Sequence, residues 1–467
     1  MSGALWTRDA VSLAALIAEG TATAVEVVEA HLDRIARIDS EIGALTTVFA
    51  EAARAEAAAA DRRAPIGPLH GVPVTVEHDL EVAGRPTTRG VAALGRAVAT
   101  ADAPAVAALR RAGAIVIGRT NVADFATRWH TDNDASGPTV NPWYPTRSPG
   151  GSSGGDAAAV AAGLTPLGLG TDFGGSLRIP AAFCGVAALR TTPGRVAVAA
   201  SLPGAAPAPT SQLFAAPGPV ARSVRDLATA FEVLRDSADV REPGWIPVRD
   251  TADAAAPAVA VTLGDDLDPQ VRAAVLRCAD ALERAGYPVA HRDPPLVREV
   301  AADYGRLVST EIVAQRREVV RRFGSAGANV FLDAAIELFP PLDPAGYTTA
   351  LGERRTRRAA WSRFLAEHPI VLGPVSTELP WPVGYDLGGT AQVATMYAAH
   401  RLTVATDYLA LAAVAVPAGV SAEGLPIGVQ LITAPFAELR ALRAAVHLEA
   451  ACPMPTPISP ATEPVIQ

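Results

Sequence analysis

The sequence predicts an α/β fold in which helices and strands alternate around a layered core. Residues 10–60 carry apolar side chains at three- and four-residue spacings, which is the pattern of amphipathic helices. Another amphipathic helix is predicted at 105–112, and the apolar run at 114–118 that follows it indicates a buried strand. Helices that alternate with strands in this way are typical of α/β proteins.

The remaining elements continue this alternation along the chain. A segment punctuated by Pro and Gly at 65–77 ends in a Val-rich alternation, which indicates a strand with Glu77 at its end. Further patterns predict helices at 157–162, 224–234 and 269–285, strands at 257–263 and 369–374, a loop at 195–216 and a mostly helical region at 304–364. Neither an internal repeat nor a long polar linker divides the sequence, which favours one folded unit.

Composition and charge narrow the range of partners. The chain has 467 residues, of which 49% are apolar and 19% charged, so it can bury a large core. Its net charge of −8 provides no basic field for nucleic acid or for an anionic membrane surface. The apolar run at 408–416 is well short of the roughly 20 residues that span a bilayer. A small-molecule substrate is therefore the expected partner.

The cysteines and the first residues of the chain favour a cytoplasmic location. Cys184, Cys278 and Cys452 are odd in number and far apart, so neither a disulfide framework nor a zinc-ligand spacing is predicted. The N-terminal residues lack the basic stretch, apolar run and cleavage site of a secretory signal. No dinucleotide fingerprint is present either. We therefore expect a cytoplasmic protein that uses no metal and no other cofactor.

Two glycine-rich turns carry the strongest chemical signal. The first surrounds Ser152 in Gly-Gly-Ser-Ser-Gly-Gly-Asp, and the second contains Ser176, 24 positions later, in Asp-Phe-Gly-Gly-Ser-Leu-Arg. Glycine permits unusual backbone angles and lets several N–H groups converge on one point, as an oxyanion hole requires. Either turn alone could also be an ordinary loop or a phosphate cradle. A phosphate cradle would need a lysine, and all 40 Lys and Arg positions of this chain are arginine.

Taken as an ordered pair, these turns resemble the amidase signature. The resemblance covers roughly residues 10–450 and includes the stretches Gly71-Val-Pro-Val, Ala112-Gly-Ala-Ile-Val-Ile-Gly-Arg-Thr-Asn, Phe183-Cys-Gly-Val and Gly424-Leu-Pro-Ile-Gly-Val-Gln-Leu-Ile. It implies the amidase-signature fold, a large mixed twisted sheet covered by helices on both faces. It also implies a single domain over 1–467, with a core at roughly 60–235 and 370–450 and a more variable helical region at roughly 236–382.

The family uses a triad of serine, cis-serine and lysine to attack an amide carbonyl. By position, Ser176 resembles the nucleophile and Ser152 the bridging serine, and the position of the lysine falls on Glu77. The resemblance implies further roles, namely oxyanion-hole amides at Phe173, Gly174, Gly175 and Ser176 and supporting positions at Ser153, Asp172 and Arg178. Asp172 and Arg178 are expected to fix the nucleophile loop by charge pairing rather than to take part in the chemistry.

The replacement of the lysine by Glu77 puts the usual mechanism in doubt. A buried carboxylate can still accept a proton, because desolvation raises its pKa toward a useful range. The same charge would oppose a developing oxyanion. Asp79 would share the strand face of Glu77 and could hold one proton with it, whereas His78 would point away. A hydrogen-bonding role is the plainer interpretation of Asp79, and His130 is a candidate substrate-binding residue whose plainer interpretation is a packed side chain.

Three functions follow from these observations. The first is an amidase-like hydrolase or acyltransferase with an atypical Ser176/Ser152/Glu77 site. The second is a repurposed amidase scaffold in specialised metabolism, in which Glu77 carries out a cyclisation, an elimination or an isomerisation. The third is a catalytically silent binding protein or amidotransferase-like subunit. The sequence leaves the oligomeric state open, with a homodimer among the options.

Overall fold

A computed structural model describes residues 4–198, 208–235 and 256–460. Within these ranges, eleven strands form one mixed sheet. They are β1 (Leu45–Val48), β2 (Pro73–Glu77), β3 (Ile115–Thr120), β4 (Leu167–Asp172), β5 (Ala187–Arg190), β6 (Ala216–Ala221), β7 (Val259–Val261), β8 (Val289–His291), β9 (Ile370–Pro374), β10 (Ala412–Val420) and β11 (Pro426–Thr433). Their order is β1-β3-β2-β4-β6-β5-β10-β11-β9-β7-β8. Strand β2 is parallel to β3 and β4, whereas β4 and β6 are antiparallel.

Helices connect most of these strands. They are α1 (Ala10–Ala18), α2 (Ala24–Ile42), α3 (Ala50–Ala60), α4 (Pro104–Arg111), α5 (Gly154–Ala161), α6 (Arg178–Cys184), α7 (Pro209–Phe214), α8 (Val224–Arg235), α9 (Pro269–Arg284), α10 (Val297–Glu311), α11 (Arg317–Phe323), α12 (Ala326–Leu338), α13 (Pro344–Glu367), α14 (Thr390–Ala399), α15 (Arg401–Tyr408) and α16 (Glu438–Ala451). No helix in the described ranges combines the length and apolarity needed to cross a membrane.

Helices cover both faces of the sheet. Along β10, Ala413 and Ala415 point into one apolar cluster, and Val414 and Val416 point into a second, because successive side chains of a strand point to opposite faces. The first cluster contains buried residues of α5, α6 and α15, and the second contains those of α8, α9 and α16. This arrangement confirms the predicted α/β architecture, a large mixed sheet with helices on both faces.

The same alternation places Glu77 on the face of the sheet that α5 and α6 cover. Val74 and Val76 of β2 point into the second cluster, so Glu77 points to the opposite face, where β2 contacts α5. On the adjacent strand β4, Leu167 and Leu169 also point into the second cluster. The glycines of β4 therefore face the same side as Glu77.

Two regions differ from the sequence-based expectation. The loop predicted at 195–216 contains the helix α7, and its residues 199–207 lie outside the described ranges. The region predicted as variable and helical at 236–382 holds α9–α13 and the strands β7 and β9, which lie where strands were predicted at 257–263 and 369–374; it also holds β8, which was not predicted, and its residues 236–255 are not described. A run as short as that of β8 gives too few residues for periodicity to identify a strand. The single-domain boundaries stay a prediction.

Candidate active site

Ser176 lies in the loop between β4 and α6. The loop turns at Gly175, whose φ of +94° is a conformation that side-chain-bearing residues rarely adopt. A Cβ at Gly175 would also collide with Thr403 and Ile179, so only glycine fits. Ser176 follows this turn and is buried, with 7% of the residue exposed.

Buried ion pairs hold this loop in place. Asp172 accepts hydrogen bonds from the amides of Gly175 at 2.8 Å and Leu177 at 3.3 Å, and it pairs with Arg178 at 3.0 Å. Arg178 also pairs with Asp407 at 2.7 Å. Burial alone would raise the pKa of Asp172, but Arg178 and Arg190 outweigh it and hold that pKa below its usual range. The supporting role expected for Asp172 and Arg178 therefore has a clear geometric basis.

The predicted oxyanion-hole amides are not equivalent. The amide of Gly175 already donates to Asp172. Within the described ranges, the amides of Phe173, Gly174 and Ser176 donate to no protein acceptor. These three N–H groups therefore remain free for a developing oxyanion, and Gly175 has a structural role instead.

Ser152 lies beside this loop in the second glycine-rich turn. Its peptide bond with Gly151 is cis. A Cβ on Gly151 would lie within 2.8 Å of the backbone of 128–130, which explains the glycine there. The hydroxyl of Ser152 is buried and has no hydrogen-bond partner among the described residues. The neighbouring amide of Ser153 donates to the carbonyl of Ser176 at 3.3 Å and thus joins the two turns.

The carboxyl group of Glu77 contacts Ser153 rather than Ser152. The hydroxyl of Ser153 donates to Glu77 Oε1 at 2.8 Å, and the amide of Thr171 donates to Oε2 at 2.8 Å. A Cβ on Gly170 would lie 2.9 Å from Oε2, so the glycine makes room for the carboxyl group. Among the described residues, no hydrogen bond joins Glu77 to Ser152.

The sequence-based reasoning missed a second buried carboxyl group, that of Asp156, which lies next to Glu77. Asp156 is on the first turn of α5 and is fully buried, as Glu77 is. Burial raises the pKa of Asp156 to about 8. Burial and then the charges of Asp156 and Asp79 raise the pKa of Glu77 well above its usual value. The signal was present in the sequence, because Asp156 is the only charged residue in the alanine-rich helix after the first glycine turn.

The other predicted site residues have structural contacts. Asp79 forms an ion pair with Arg89 at 3.2 Å, and about a quarter of its side chain is exposed. His78 hydrogen bonds with the hydroxyl of Thr46 at 2.7 Å. His130 Nδ1 hydrogen bonds with the hydroxyl of Ser148 at 2.9 Å, and burial lowers its pKa. His130 therefore supports the turn that precedes Ser152.

Aromatic side chains surround the nucleophile loop. The indole of Trp129 donates to the carbonyl of Gly174 at 2.9 Å. Phe173 packs against Tyr304 and Phe214, with ring centroids 5.8 and 6.0 Å apart. A Cβ on Gly174 would collide with the hydroxyl of Tyr304. The nucleophile loop is therefore packed against aromatic rings, which sequence spacing alone did not reveal.

Comparisons of the sequence point to one family. Residues 26–442 match the family model described as Amidase. An indoleacetamide hydrolase of Bradyrhizobium diazoefficiens is 35% identical over 457 residues, which cover 96% of this chain and 87% of that protein. A glutamyl-tRNA(Gln) amidotransferase subunit of Rhodopirellula baltica is 34% identical, with 91% of this chain and 92% of that protein covered.

Solved structures show the same architecture. A 6-aminohexanoate cyclic dimer hydrolase, solved with its substrate, superposes with a TM-score of 0.82 at 26% identity and covers 99% of each chain. A bacterial aryl acylamidase of the amidase signature family superposes with a TM-score of 0.81 at 25% identity, covering 96% of this chain and 97% of that one. The likeness extends over nearly the whole length in both cases.

Proposed function

Because this chain belongs to the amidase family, we propose that it hydrolyses or transfers the acyl group of a small amide through the hydroxyl of Ser176. The observation that carries this proposal is the nucleophile loop itself. Three loop amides, those of Phe173, Gly174 and Ser176, have no protein acceptor among the described residues, while buried ion pairs of Asp172 hold the loop rigid. Preorganised donors of this kind stabilise a tetrahedral oxyanion.

The proposed reaction is a double displacement. The oxygen of Ser176 attacks the amide carbonyl, and its proton passes to Ser152 while the proton of Ser152 passes to the carboxylate of Glu77. The C–N bond then breaks as the proton returns to the leaving nitrogen, which leaves an acyl group on Ser176. Water, or another acceptor, attacks this ester with the same groups acting in reverse.

Glu77 is the base in this proposal, in the place where the family has a lysine. Its burial supports the role, because a carboxyl group with a raised pKa is a stronger base when it ionises. The present hydrogen bonds of Glu77 are to Ser153 and Thr171. The proposal therefore requires the hydroxyl of Ser152 to turn toward Glu77 when substrate binds, as catalytic hydrogen bonds commonly tighten in the complex.

We propose that the substrate carries an aromatic group. Phe173, the least buried of the rings beside the nucleophile loop, packs on Tyr304 and Phe214, and Trp129 contacts the carbonyl of Gly174, so the loop lies against an aromatic cluster that favours a flat substrate. The names of two relatives, an indoleacetamide hydrolase and an aryl acylamidase, are consistent with this class. Indole-3-acetamide and acetanilide are therefore the first substrates to test.

A fluorophosphonate probe tests the nucleophile directly. We expect intact-mass spectrometry to find one adduct on the wild-type protein and none on the Ser176→Ala variant. Turnover of the active amide should fall by about a thousandfold or more in the same variant, because an acyl-enzyme can no longer form. Ser421→Ala is the matched control, since that serine has the same exposed fraction of 7%. Labelling of Ser176→Ala to the same extent as Ser421→Ala would refute the assignment.

A second candidate function follows from the contacts of Glu77. Since Glu77 hydrogen bonds with Ser153 and Thr171 and not with Ser152, it could act alone as an acid or base in a cyclisation, an elimination or an isomerisation. In that case Glu77→Gln should abolish turnover and Ser176→Ala should leave it largely intact. Equal loss in both variants would exclude this alternative.

A third candidate is a non-catalytic component of a larger assembly. The amidotransferase subunits among the relatives favour it, since their name describes a part of an assembly. Stable co-purification with another protein, together with no fluorophosphonate labelling, would support this function. A single active species, as a monomer or a homodimer, would exclude it.

A further inference from the structure

Several buried polar atoms around Glu77 and Asp156 lack hydrogen-bond partners within the described ranges. Among the described residues, the hydroxyl of Thr75 and Nε and Nη1 of Arg119 have no hydrogen-bond partner. In the same part of the chain, the carboxyl oxygens of Asp156 lack a partner in good hydrogen-bond geometry, and the nearby hydroxyl of Thr120 offsets only part of the rise that burial causes in the pKa of Asp156. Buried polar groups are normally satisfied, because leaving them unpaired costs about 1–3 kcal/mol each. Asp156 has no part in the reaction proposed above, so its burial needs an explanation.

Two glycines of β4 bring this carboxyl group onto the same face as Glu77. A Cβ at Gly168 would lie 3.0 Å from Oδ1 of Asp156 and 3.5 Å from the hydroxyl of Thr75. Two residues along the strand, a Cβ at Gly170 would lie 2.9 Å from Oε2 of Glu77. Because alternate residues of a strand share a face, the two carboxyl groups lie side by side above this glycine pair.

The charges in the pocket do not balance when both carboxyl groups are ionised. Arg119 is the guanidinium next to both, and it also donates to the backbone carbonyls of Glu77 and Leu80. Asp79 faces Glu77 from the loop after β2 and is paired with Arg89. Among the described residues, Glu81 is the largest acidic influence on Arg119, and Asp79 acts on it as well. A proton retained on either Glu77 or Asp156 would therefore reduce the excess of negative charge around Arg119.

We infer that Asp156 is a positioning residue whose charge acts on Glu77 through space and thereby sets the pH at which Glu77 becomes available as a base. This inference rests on the proposed function of Glu77 and extends it. Two like charges in a dry pocket cannot both ionise easily, so the loss of the first proton opposes the loss of the second. Burial raises the pKa of both carboxyl groups, that of Glu77 and that of Asp156.

The pH dependence of turnover tests the inference. In Asp156→Asn the neighbouring negative charge is gone, so the acidic limb of the rate profile should move to lower pH by about one unit or more, with the plateau rate retained within about tenfold. A merely structural role would lower the rate at every pH without moving the limb. An unchanged midpoint would overturn the inference. Asp156→Ser is a second variant in case the amide of asparagine does not fit.

A measurement without turnover separates this inference from the proposed function. Infrared difference spectra of the wild-type protein during a pH titration should show the C=O band of a protonated buried carboxyl group. The component from Glu77 should disappear at lower pH in Asp156→Asn than in the wild type, and it should be absent from Asp156→Asn/Glu77→Gln, which keeps only the bands of other buried carboxyl groups such as Asp407 and Asp226. If the bands behave in this way but no amide is turned over, the proposed function fails and the effect of Asp156 on Glu77 stands. If turnover is found but the bands do not shift, the inference fails alone.

Discussion

Two buried charged clusters flank Ser176, and they are built in opposite ways. The Asp172 cluster has two carboxylates and two guanidinium groups, paired at 2.6–3.0 Å, from Asp172, Arg178, Arg190 and Asp407. The Glu77 cluster has two carboxyl groups and one guanidinium group, from Glu77, Asp156 and Arg119. Within the described ranges, both clusters contain buried polar atoms without hydrogen-bond partners. In the Asp172 cluster the paired charges hold the pKa of Asp172 down while burial raises that of Asp407, whereas in the Glu77 cluster the pKa of both carboxyl groups is raised. We therefore expect support from the first cluster and proton transfer from the second.

The largest loss of stability is expected from a substitution in the Asp172 cluster. Asp172→Ala leaves Arg178 and Arg190 buried without this carboxylate and frees the amide of Gly175. We expect the free energy of unfolding to fall by about 3–5 kcal/mol, since removal of one partner leaves an uncompensated buried charge. Urea denaturation measures the change.

An exposed ion pair provides the control for this change. Arg54 and Glu29 pair at 2.6 Å, but 48% and 36% of their side chains are exposed. Glu29→Gln should therefore cost less than about 1 kcal/mol. A similar cost for Glu29→Gln and Asp172→Ala would contradict the view that burial gives the Asp172 cluster its importance.

An intermediate effect should appear in the pH dependence of stability. The folded-state pKa of Asp156 is about 8, above its usual value of 3.8, so the folded state binds more protons than the unfolded state between these values. The free energy of unfolding should therefore decrease as the pH rises from about 4 to about 8, by up to about 1.4 kcal/mol per pH unit from this group. Asp156→Asn should make the free energy of unfolding depend less on pH in this range.

The contribution of Asp172 to the pH dependence of stability has the opposite sign. Its pKa is depressed in the folded state, so its contribution is fully present above its unfolded pKa and is lost as the pH falls further. Denaturation curves from pH 3 to pH 9 should thus show two separate trends. The free energy of unfolding could also change with pH between 4 and 8 equally in the wild type and in Asp156→Asn. That result would contradict the unbalanced character of the Glu77 cluster.

The smallest effect should come from Asp79. It is paired with Arg89 and partly exposed, so solvent screens its charge. Asp79→Asn should shift the acidic limb of the rate profile by less than Asp156→Asn does, and should cost less than about 1 kcal/mol of stability. A larger shift for Asp79→Asn would reverse the assignment and would restore Asp79 as the partner of Glu77 that strand geometry suggested.

Features that depend on the local sequence were predicted, whereas contacts between distant parts of the chain were not. The glycines around Ser152 and Ser176 indicate turns because they act on the local backbone, and the structure contains those turns. Strand geometry offered Asp79 as a candidate partner of Glu77 because the two share a strand face at a spacing of two residues, although a hydrogen-bonding role was the plainer interpretation. Asp156 lies 79 positions further along the chain, so only the packing of α5 on β2 and β4 brings it to Glu77.

The sequence by itself determined the α/β class, the family, the position of the candidate nucleophile loop and the absence of lysine. These features depend on local periodicity, on ordered motifs and on composition, all of which are properties of neighbours along the chain. The tertiary structure decided that Gly175 supports the loop, that Ser153 rather than Ser152 contacts Glu77, and that Asp156 lies beside it. Burial and charge interactions depend on distances through space, and these arise only when strands and helices pack.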